Sequence, residues 1–488
     1  MSDPLILVLD AGTTSTRAML FGADGAPHGV AQHELTQFYP QPGWVEHDAA
    51  EIWDKTLASL REVMASVGGA GRIAAIGITN QRETVVAWDK VSGAPLHNAL
   101  VWQDRRTADF CAALKEQGHE PAVQAATGLL LDPYFSATKM RWLIDNVPAI
   151  AEASRAGRLA LGTVEDWLVF KLSGGAHLTD ASNASRTLLL ALTGASWDEG
   201  LCDLFGVPRA ALGDVVDNAG HFAATDPELL GRAIPITGLA GDQQAATIGQ
   251  DCLSPGQTKA TYGTGAFVLA NMGQAVPHSA NRLLGTVLYQ LGGQRSYALE
   301  GSVFVAGSLI KWLRDSLGLI ASAEETAALA ASVPDSGGVT VVPALSGLGA
   351  PHWRPDARAA FTGMSFATSR AHLARAALES MAMQTLELAE AFTADGAAWT
   401  ALRIDGGMSA NDWMAQDLAS VLQVPVERPG FVETTALGAA MLASVGAGIH
   451  GDLREAASVM RGAVQTFKPR STDTAARRAA WTQALAAT

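Results

Sequence analysis

The run Asp10-Ala11-Gly12-Thr13-Thr14-Ser15-Thr16-Arg17 brings one carboxylate, four hydroxyls, a glycine and a guanidinium into eight residues. A carboxylate can hold Mg²⁺, hydroxyls and a guanidinium can hold phosphate oxygens, and glycine lets backbone come close. The terminal phosphates of a nucleoside triphosphate fit this inventory, although an octapeptide of this kind also makes an ordinary hairpin turn. A second hairpin, Gly263-Thr264-Gly265, opens the second half of the chain in the same way. Two such turns facing each other across a cleft would clamp phosphates from both sides, and closure would exclude water from a transfer. Asp242, before Gln243-Gln244-Ala245-Ala246, has the type and position either of a helix cap or of a general base that takes the proton of an attacking hydroxyl.

These residues need elements to position them. Ile6 to Leu9 and Arg17 to Phe21 read as strands around a turn from Asp10 to Thr16, and Asp24-Gly25 continues the chain as a meander. Ile73 to Thr79 and Thr84 to Trp88 read as strands separated by a polar break that holds Arg82 and Glu83. Thr258 to Tyr262 and Ala266 to Asn271 form the second hairpin. Arg370 to Phe392 carries helical apolar spacing and should cover a sheet. Leu402 to Ile404, then Asp405-Gly406-Gly407, then Asn411 to Leu422 predict strand, sharp turn and helix. The shared opening of the two halves suggests one unit used twice, with a boundary near Gln250.

The composition of the 488 residues, 48% hydrophobic and 17% charged, fits well-buried globular cores, and the length allows two to four domains. A net charge of -14 disfavours nucleic acid and anionic membranes as partners. Cys111, Cys202 and Cys252 lack redox or zinc spacing, which points to a reducing cytoplasm. The residues after Met1 form no basic flank or signal-length apolar core, so export is not expected. Ala436 to Ile449 is shorter than the ~20 residues of a spanning helix and predicts a tightly packed interior helix, without membrane insertion. The histidines show no metal-site spacing, and no structural metal is assigned.

Asp10 to Arg17, Tyr262 to Gly265 and Asp405 to Asn411 together resemble the sugar kinases of the actin-like ATPase superfamily. Tyr134 to Asn146 and Ala359 to Glu379 look like the two signatures of the FGGY carbohydrate kinases. The resemblance implies an α/β fold of two actin-like (ribonuclease H-like) ATPase domains, residues 1–250 and 251–488, each a mixed sheet flanked by helices with the active site between them. Asn80 to Thr84, Ala99 to Thr107, Pro42 to Asp48, Gly241 to Ala246 and Gly347 to Pro351 are similar to the glycerol-phosphorylating branch of that family. It implies transfer of the ATP γ-phosphate to glycerol with Mg²⁺; a kinase for another polyol or ketose is the alternative.

By that resemblance Arg82, Glu83, Tyr134, Asp242 and Gln243 contact glycerol, with Asp242 as general base. Trp102 and Phe267 are candidates for an apolar wall behind its carbons. Thr13, Thr14, Ser15, Arg17 and Thr264 are assigned to phosphate, and Gly307, Gly407 and Asn411 to the nucleoside end. Asp10 is the candidate Mg²⁺ ligand. Two departures stand out: Glu165 where the family has aspartate, and Lys311 where it has glutamine at the nucleoside end. Relatives lead us to expect a homo-oligomer, a dimer or tetramer.

Overall fold

The computed structural model describes residues 4–354 and 356–488. The first sheet contains β1 (Leu5–Ala11), β2 (Ser15–Gly22), β3 (Pro27–Glu34), β4 (Ile73–Asn80), β5 (Ala219–Ala224) and β6 (Pro235–Gly241), in the order β5-β6-β4-β1-β2-β3. The second contains β7 (Gln257–Tyr262), β8 (Ala266–Gly273), β9 (Leu284–Leu291), β10 (Gln294–Val303), β11 (Ala401–Asp405), β12 (Val426–Pro429) and β13 (Val464–Phe467), in the order β9-β10-β8-β7-β11-β12-β13. In each sheet the opening strand pairs antiparallel with the next strand and parallel with a later one: β1 with β2 and β4, β7 with β8 and β11. Both sheets are therefore mixed, and the suggestion of one unit used twice extends from the hairpins to the strand order.

β1 is buried along its whole length because both faces are covered. Leu5, Leu7 and Leu9 join one apolar cluster with Trp88 and Trp167, while Ile6 and Val8 join another. The expected turn from Asp10 to Thr16 is shorter than its composition suggests: β1 runs on to Ala11 and β2 starts at Ser15. Asp10 and Arg17 are cross-strand partners whose charges meet at 2.5 Å, and that pairing extends the ladder toward the tip.

The helices that matter for the site are α1 (Val164–Ser173), α2 (Ala181–Ala184), α3 (Asp242–Gly249), α4 (Gly307–Asp315), α5 (Arg370–Ala394), α6 (Asp412–Leu422) and α7 (Thr434–Gly446). α7 is the expected interior helix, and its composition follows from where it lies. It belongs to the second half of the chain but packs on α3 and on β6, β4 and β1 of the first sheet. A Cβ at Gly438 would lie 1.8 Å from the Ala245 carbonyl oxygen, and one at Gly77 would lie 2.5 Å from that of Ala439. Only glycine permits backbones so close, so the Ala- and Gly-rich stretch is what lets the two halves interlock.

Beneath the ends of β4 and β6 lies a buried polar node. Glu165, at the start of α1, accepts from Asn80 Nδ2 at 3.0 Å and from Thr163 Oγ1 at 2.5 Å, and also from the Thr179 hydroxyl. Asn183 donates to Asn80 Oδ1 at 3.0 Å and to Asp180 Oδ2 at 2.7 Å, and the Ser182 hydroxyl accepts from Gly241 N–H at 3.1 Å. Asn80 and Gly241 are the last residues of their strands, each just before site residues. The node thus ties together the two strand ends that carry Arg82 and Asp242. Burial, reinforced by Asp180, pushes the Glu165 carboxyl up to about 8.

Two outcomes follow from this packing. Gly438→Ala should destabilise the protein by roughly 1–3 kcal/mol although alanine is the better helix former, because the methyl group meets backbone; denaturant unfolding showing equal or greater stability would refute the close approach. Glu165 holds its proton to higher pH in the fold than in the unfolded chain, which releases it in the ordinary carboxylate range. Its contribution to stability must therefore fall as pH rises from about 4.5 to about 8. Glu165→Gln removes that part of the slope and leaves the similar share of Asp166, also raised by burial. Urea midpoints at pH 5 and pH 8 should shift in the variant's favour at the higher pH; a constant gap means that Glu165 is ionised in the folded protein.

Candidate active site

Arg82 follows β4 and is buried among acids. Its Nη1 and Nη2 donate to the two carboxylate oxygens of Glu300 on β10 at 2.6 and 3.1 Å, while Nε lies 3.3 Å from Asp242 Oδ1 and 3.8 Å from Glu83 Oε1. Arg186, just after α2, donates to Glu83 Oε1 at 2.7 Å and to Glu300 Oε1 at 2.9 Å. Burial alone would raise Glu300, but Arg186 and Arg82 hold it at about 2. Glu83 occupies the left-handed region at φ 59, in a tight turn where Thr84 N–H donates to the Arg82 carbonyl at 2.7 Å. Such backbone strain persists only where the surroundings over-determine it, and here both arginines grip the residue.

Asp242 is the first residue of α3, whose cap is Gly241; its Oδ1 accepts from Gln243 N–H at 2.7 Å. The helix N-terminus favours its negative charge. Burial raises its pKa, and Arg82 and Lys259 work against that. It lies deep in the cleft yet 31% of the side chain remains exposed, so it can receive a proton from a bound group.

Three aromatic rings close the pocket. Trp102 packs edge-on against Tyr134 and Phe267, with centroids 5.6 and 6.5 Å apart, and its Nε1 donates to Thr13 Oγ1 at 3.0 Å. Through this ring the tip of the first hairpin and β8 of the second are brought together across the cleft. Tyr134 OH accepts from Arg82 at 3.4 Å. Its loop is held by Lys139, whose buried ammonium donates to the carbonyls of Pro133, Tyr134 and Phe135 at 2.9, 2.7 and 2.9 Å. The segments Pro42 to Asp48 and Ala99 to Thr107 turn out to be mutual supports: Asp104 accepts from Val45 N–H, and Arg106 pairs with Glu46 and lies 3.8 Å over the Trp44 ring.

Beyond Asp242 the cleft widens into a cavity of 940 Å³ lined by Asp10, Gly12, Arg17 and Gln243 on one side and by Asp405, Gly407 and Glu433 on the other. Thr14 and Thr264 are exposed at the two hairpin tips, while Ser15 accepts from Gln32 at 2.9 Å. Gly307 starts α4 against the second tip: its N–H donates to the Gly263 carbonyl at 2.8 Å, and a Cβ would lie 2.5 Å from that oxygen. Asn411 caps α6 through Met414 N–H and donates to Thr326, and Lys311 is exposed on α4. Burial raises the pKa of Asp10, against Arg17. Asp10 and Asp242 are close enough for each charge to be felt by the other, and Asp405 Oδ1 is buried without a hydrogen-bond partner among the described residues. A cleft of hard oxygen donors fits Mg²⁺, which takes one or two carboxylates besides phosphates and water.

Reasoning from sequence missed Arg186, Glu300, Lys259 and Glu433. Glu300 follows the apolar run Tyr297-Ala298-Leu299 within its strand, and that is the signal that could have found it; Lys259 sits in a strand rich in threonine and carries no such signal. Glu433 pairs with Arg17 at 2.5 Å from the far side of the cavity, a contact no spacing rule reveals.

The FGGY family of carbohydrate kinases matches this chain twice, its N-terminal domain over residues 5–249 and its C-terminal domain over residues 258–447. The glycerol kinase of Rhodospirillum rubrum is 55% identical over 449 residues, 91% of each chain. That of Ectopseudomonas mendocina is 52% identical over 485 residues, 98% of each chain. Among solved structures, the glycerol kinase of Plasmodium falciparum with ADP superposes with a TM-score of 0.95 at 36% identity, covering 100% of this chain and 98% of that one. A xylulose kinase of Lactobacillus acidophilus, 21% identical with a TM-score of 0.87, shares the fold over 99% of this chain and 96% of its own. Doubly matched sheets, a cleft rich in carboxylates and relatives above half identity lead to one conclusion: this chain belongs to the FGGY family of carbohydrate kinases.

Proposed function

We propose that the protein transfers the γ-phosphate of ATP to a terminal hydroxyl of glycerol, giving sn-glycerol 3-phosphate and ADP. The observation that carries this reading is the pocket of Arg82, Glu83 and Asp242 beside the rings of Trp102, Tyr134 and Phe267. Carboxylates and a guanidinium supply donors and acceptors to three hydroxyls, and the rings cover the carbons. The relatives named glycerol kinase, at 52–55% identity, support the same acceptor.

In the reaction the hydroxyl oxygen forms a bond to the γ-phosphorus while the bond from that phosphorus to the bridging oxygen of ADP breaks; Asp242 accepts the hydroxyl proton. Arg82 orients Asp242 and the substrate together. Thr13, Thr14, Ser15, Arg17 and Thr264 hold the phosphates, with Gly307, Lys311, Gly407 and Asn411 toward the nucleoside. Asp10 would hold Mg²⁺, which when bound neutralises charge developing on the transferred group. The two lobes are residues 1–250 and 251–488. Among the described residues no helix is long and apolar enough to cross a membrane, and the three cysteines are free and buried; these support a cytoplasmic enzyme. We infer a homo-oligomer, a dimer or tetramer, from its relatives.

Purified protein should release ADP only with both glycerol and Mg²⁺ present, at ~1–100 s⁻¹. Assayed against a panel of polyols and ketoses, faster turnover of a ketose would replace glycerol as the acceptor, and ATP hydrolysis indifferent to any polyol would remove the assignment. Asp242→Asn keeps the hydrogen-bonding shape but cannot take the proton, so kcat should fall by roughly 10²–10⁴ with glycerol affinity nearly unchanged. A kcat within threefold of the parent would exclude Asp242 as the base.

A further inference from the structure

Lys259 lies on β7 at the floor of the cleft, fully buried, and neither the motifs nor the mechanism uses it. Its Nζ donates to Gln243 Oε1 at 2.6 Å and to Thr261 Oγ1 at 2.8 Å. Gln243 and Thr261 both line the cavity beside Asp242 and Asp10. Asp405 on β11, Asp242 on α3 and Glu300 on β10 face the ammonium and favour its charge, while burial and Arg82 oppose it and bring its pKa below the ordinary lysine value.

From this geometry we propose that Lys259 is a positioning residue of the acceptor site, which holds the Gln243 amide with its oxygen inward so that the NH₂ group is presented to a hydroxyl of the polyol. The inference rests on the reading that a polyol binds beside Asp242. An ammonium has three donors and no acceptor, so the atom of Gln243 that faces it must be the oxygen. The amide Nε2 then has no hydrogen-bond partner among the described residues. This polarity matters to the substrate. Asp242 and Glu83 can only accept when ionised, and a hydroxyl that donates to a carboxylate still needs a donor for its own oxygen. Arg82 supplies one and Gln243 the other. An amide free to flip would turn its oxygen toward the hydroxyl oxygen, and two acceptors would meet.

A double-mutant cycle tests the assignment, with Lys259→Met, Gln243→Ala and their combination assayed for both substrates. Each single change should raise the acceptor KM roughly 3–10-fold, the range of one neutral hydrogen bond, with the ATP KM within twofold of the parent. The combination should be no worse than Gln243→Ala alone, because the lysine acts through the amide. Multiplying effects would overturn the proposal, and a raised ATP KM in Lys259→Met would make the lysine a phosphate contact instead. If Lys259→Met does not fold, Gln243→Glu decides alone: the carboxylate keeps an acceptor for Lys259 but lacks the NH₂, so its acceptor KM should rise at least as much as in Gln243→Ala. An unchanged KM would show that oxygen faces the polyol. The cycle is read with whichever acceptor the parent protein phosphorylates, so loss of the glycerol assignment and loss of this one are separate results.

Discussion

Arg82, Arg186, Glu83 and Glu300 form a balanced set of buried charges between the two halves of the chain, and the acceptor pocket depends on it. Taking ions out of water costs several kcal/mol each, which is recovered only where geometry is good and the remaining lone pairs are satisfied. Glu300 meets that condition by accepting from both arginines, twice from Arg82. Arg82 thus gives both terminal nitrogens to Glu300 and turns its Nε toward Asp242, while Arg186 divides its Nη2 and Nε between Glu300 and Glu83. Glu300 comes from the second sheet while the other members come from the first half. The pocket therefore exists only when the halves are together.

That requirement explains the way the halves are joined. Two separate lobes linked by one loop would leave the alignment of Glu300 with Arg82 to chance. Here α7 crosses back onto the first sheet at backbone contact distance, and Gln250 at the end of α3 donates to Asp405 at 3.0 Å. Thr434, the first residue of α7, bonds the same carboxylate oxygen at 2.5 Å. The polar pin continues the small-residue interface: a Cβ at Gly249, next to Gln250, would lie 2.0 Å from the Thr434 carbonyl oxygen.

How much of this was legible in the sequence depends on the range over which each feature is encoded. The hairpins, the interior helix and the strand–turn–helix around Gly407 follow from local patterns, and all have counterparts in the fold within a few residues. The extension of β1 through Asp10 to Ala11 was not legible, because Asp10 pairs with Arg17 across the strands and only Gly12 to Thr14 are left as the turn. Arg82, Glu83 and Asp242 were found through resemblance; the residues that hold them were not. Arg186 lies 103 residues from Glu83 and Glu300 lies 218 from Arg82, while Lys259 is 16 residues from Gln243 but on a different element, and only the fold brings these side chains to the same place. Glu165 was visible as a departure, but its role as an anchor for Asn80 needed the structure.

Arg17 is held by two carboxylates whose place a phosphate can take. Its guanidinium spans Asp10 and Glu433, which joins the first hairpin to the start of α7 along the cavity lining. A triphosphate brings more negative charge than these two carboxylates, and a guanidinium binds phosphate oxygens in the same forked geometry it uses for carboxylates. The arginine can therefore exchange carboxylate partners for phosphate. In the proposed reaction Asp10, released from Arg17, is the carboxylate that would hold Mg²⁺. In a chain of net charge -14, one arginine whose carboxylate partners can be exchanged for phosphate would make an acidic cleft receptive to a polyanion.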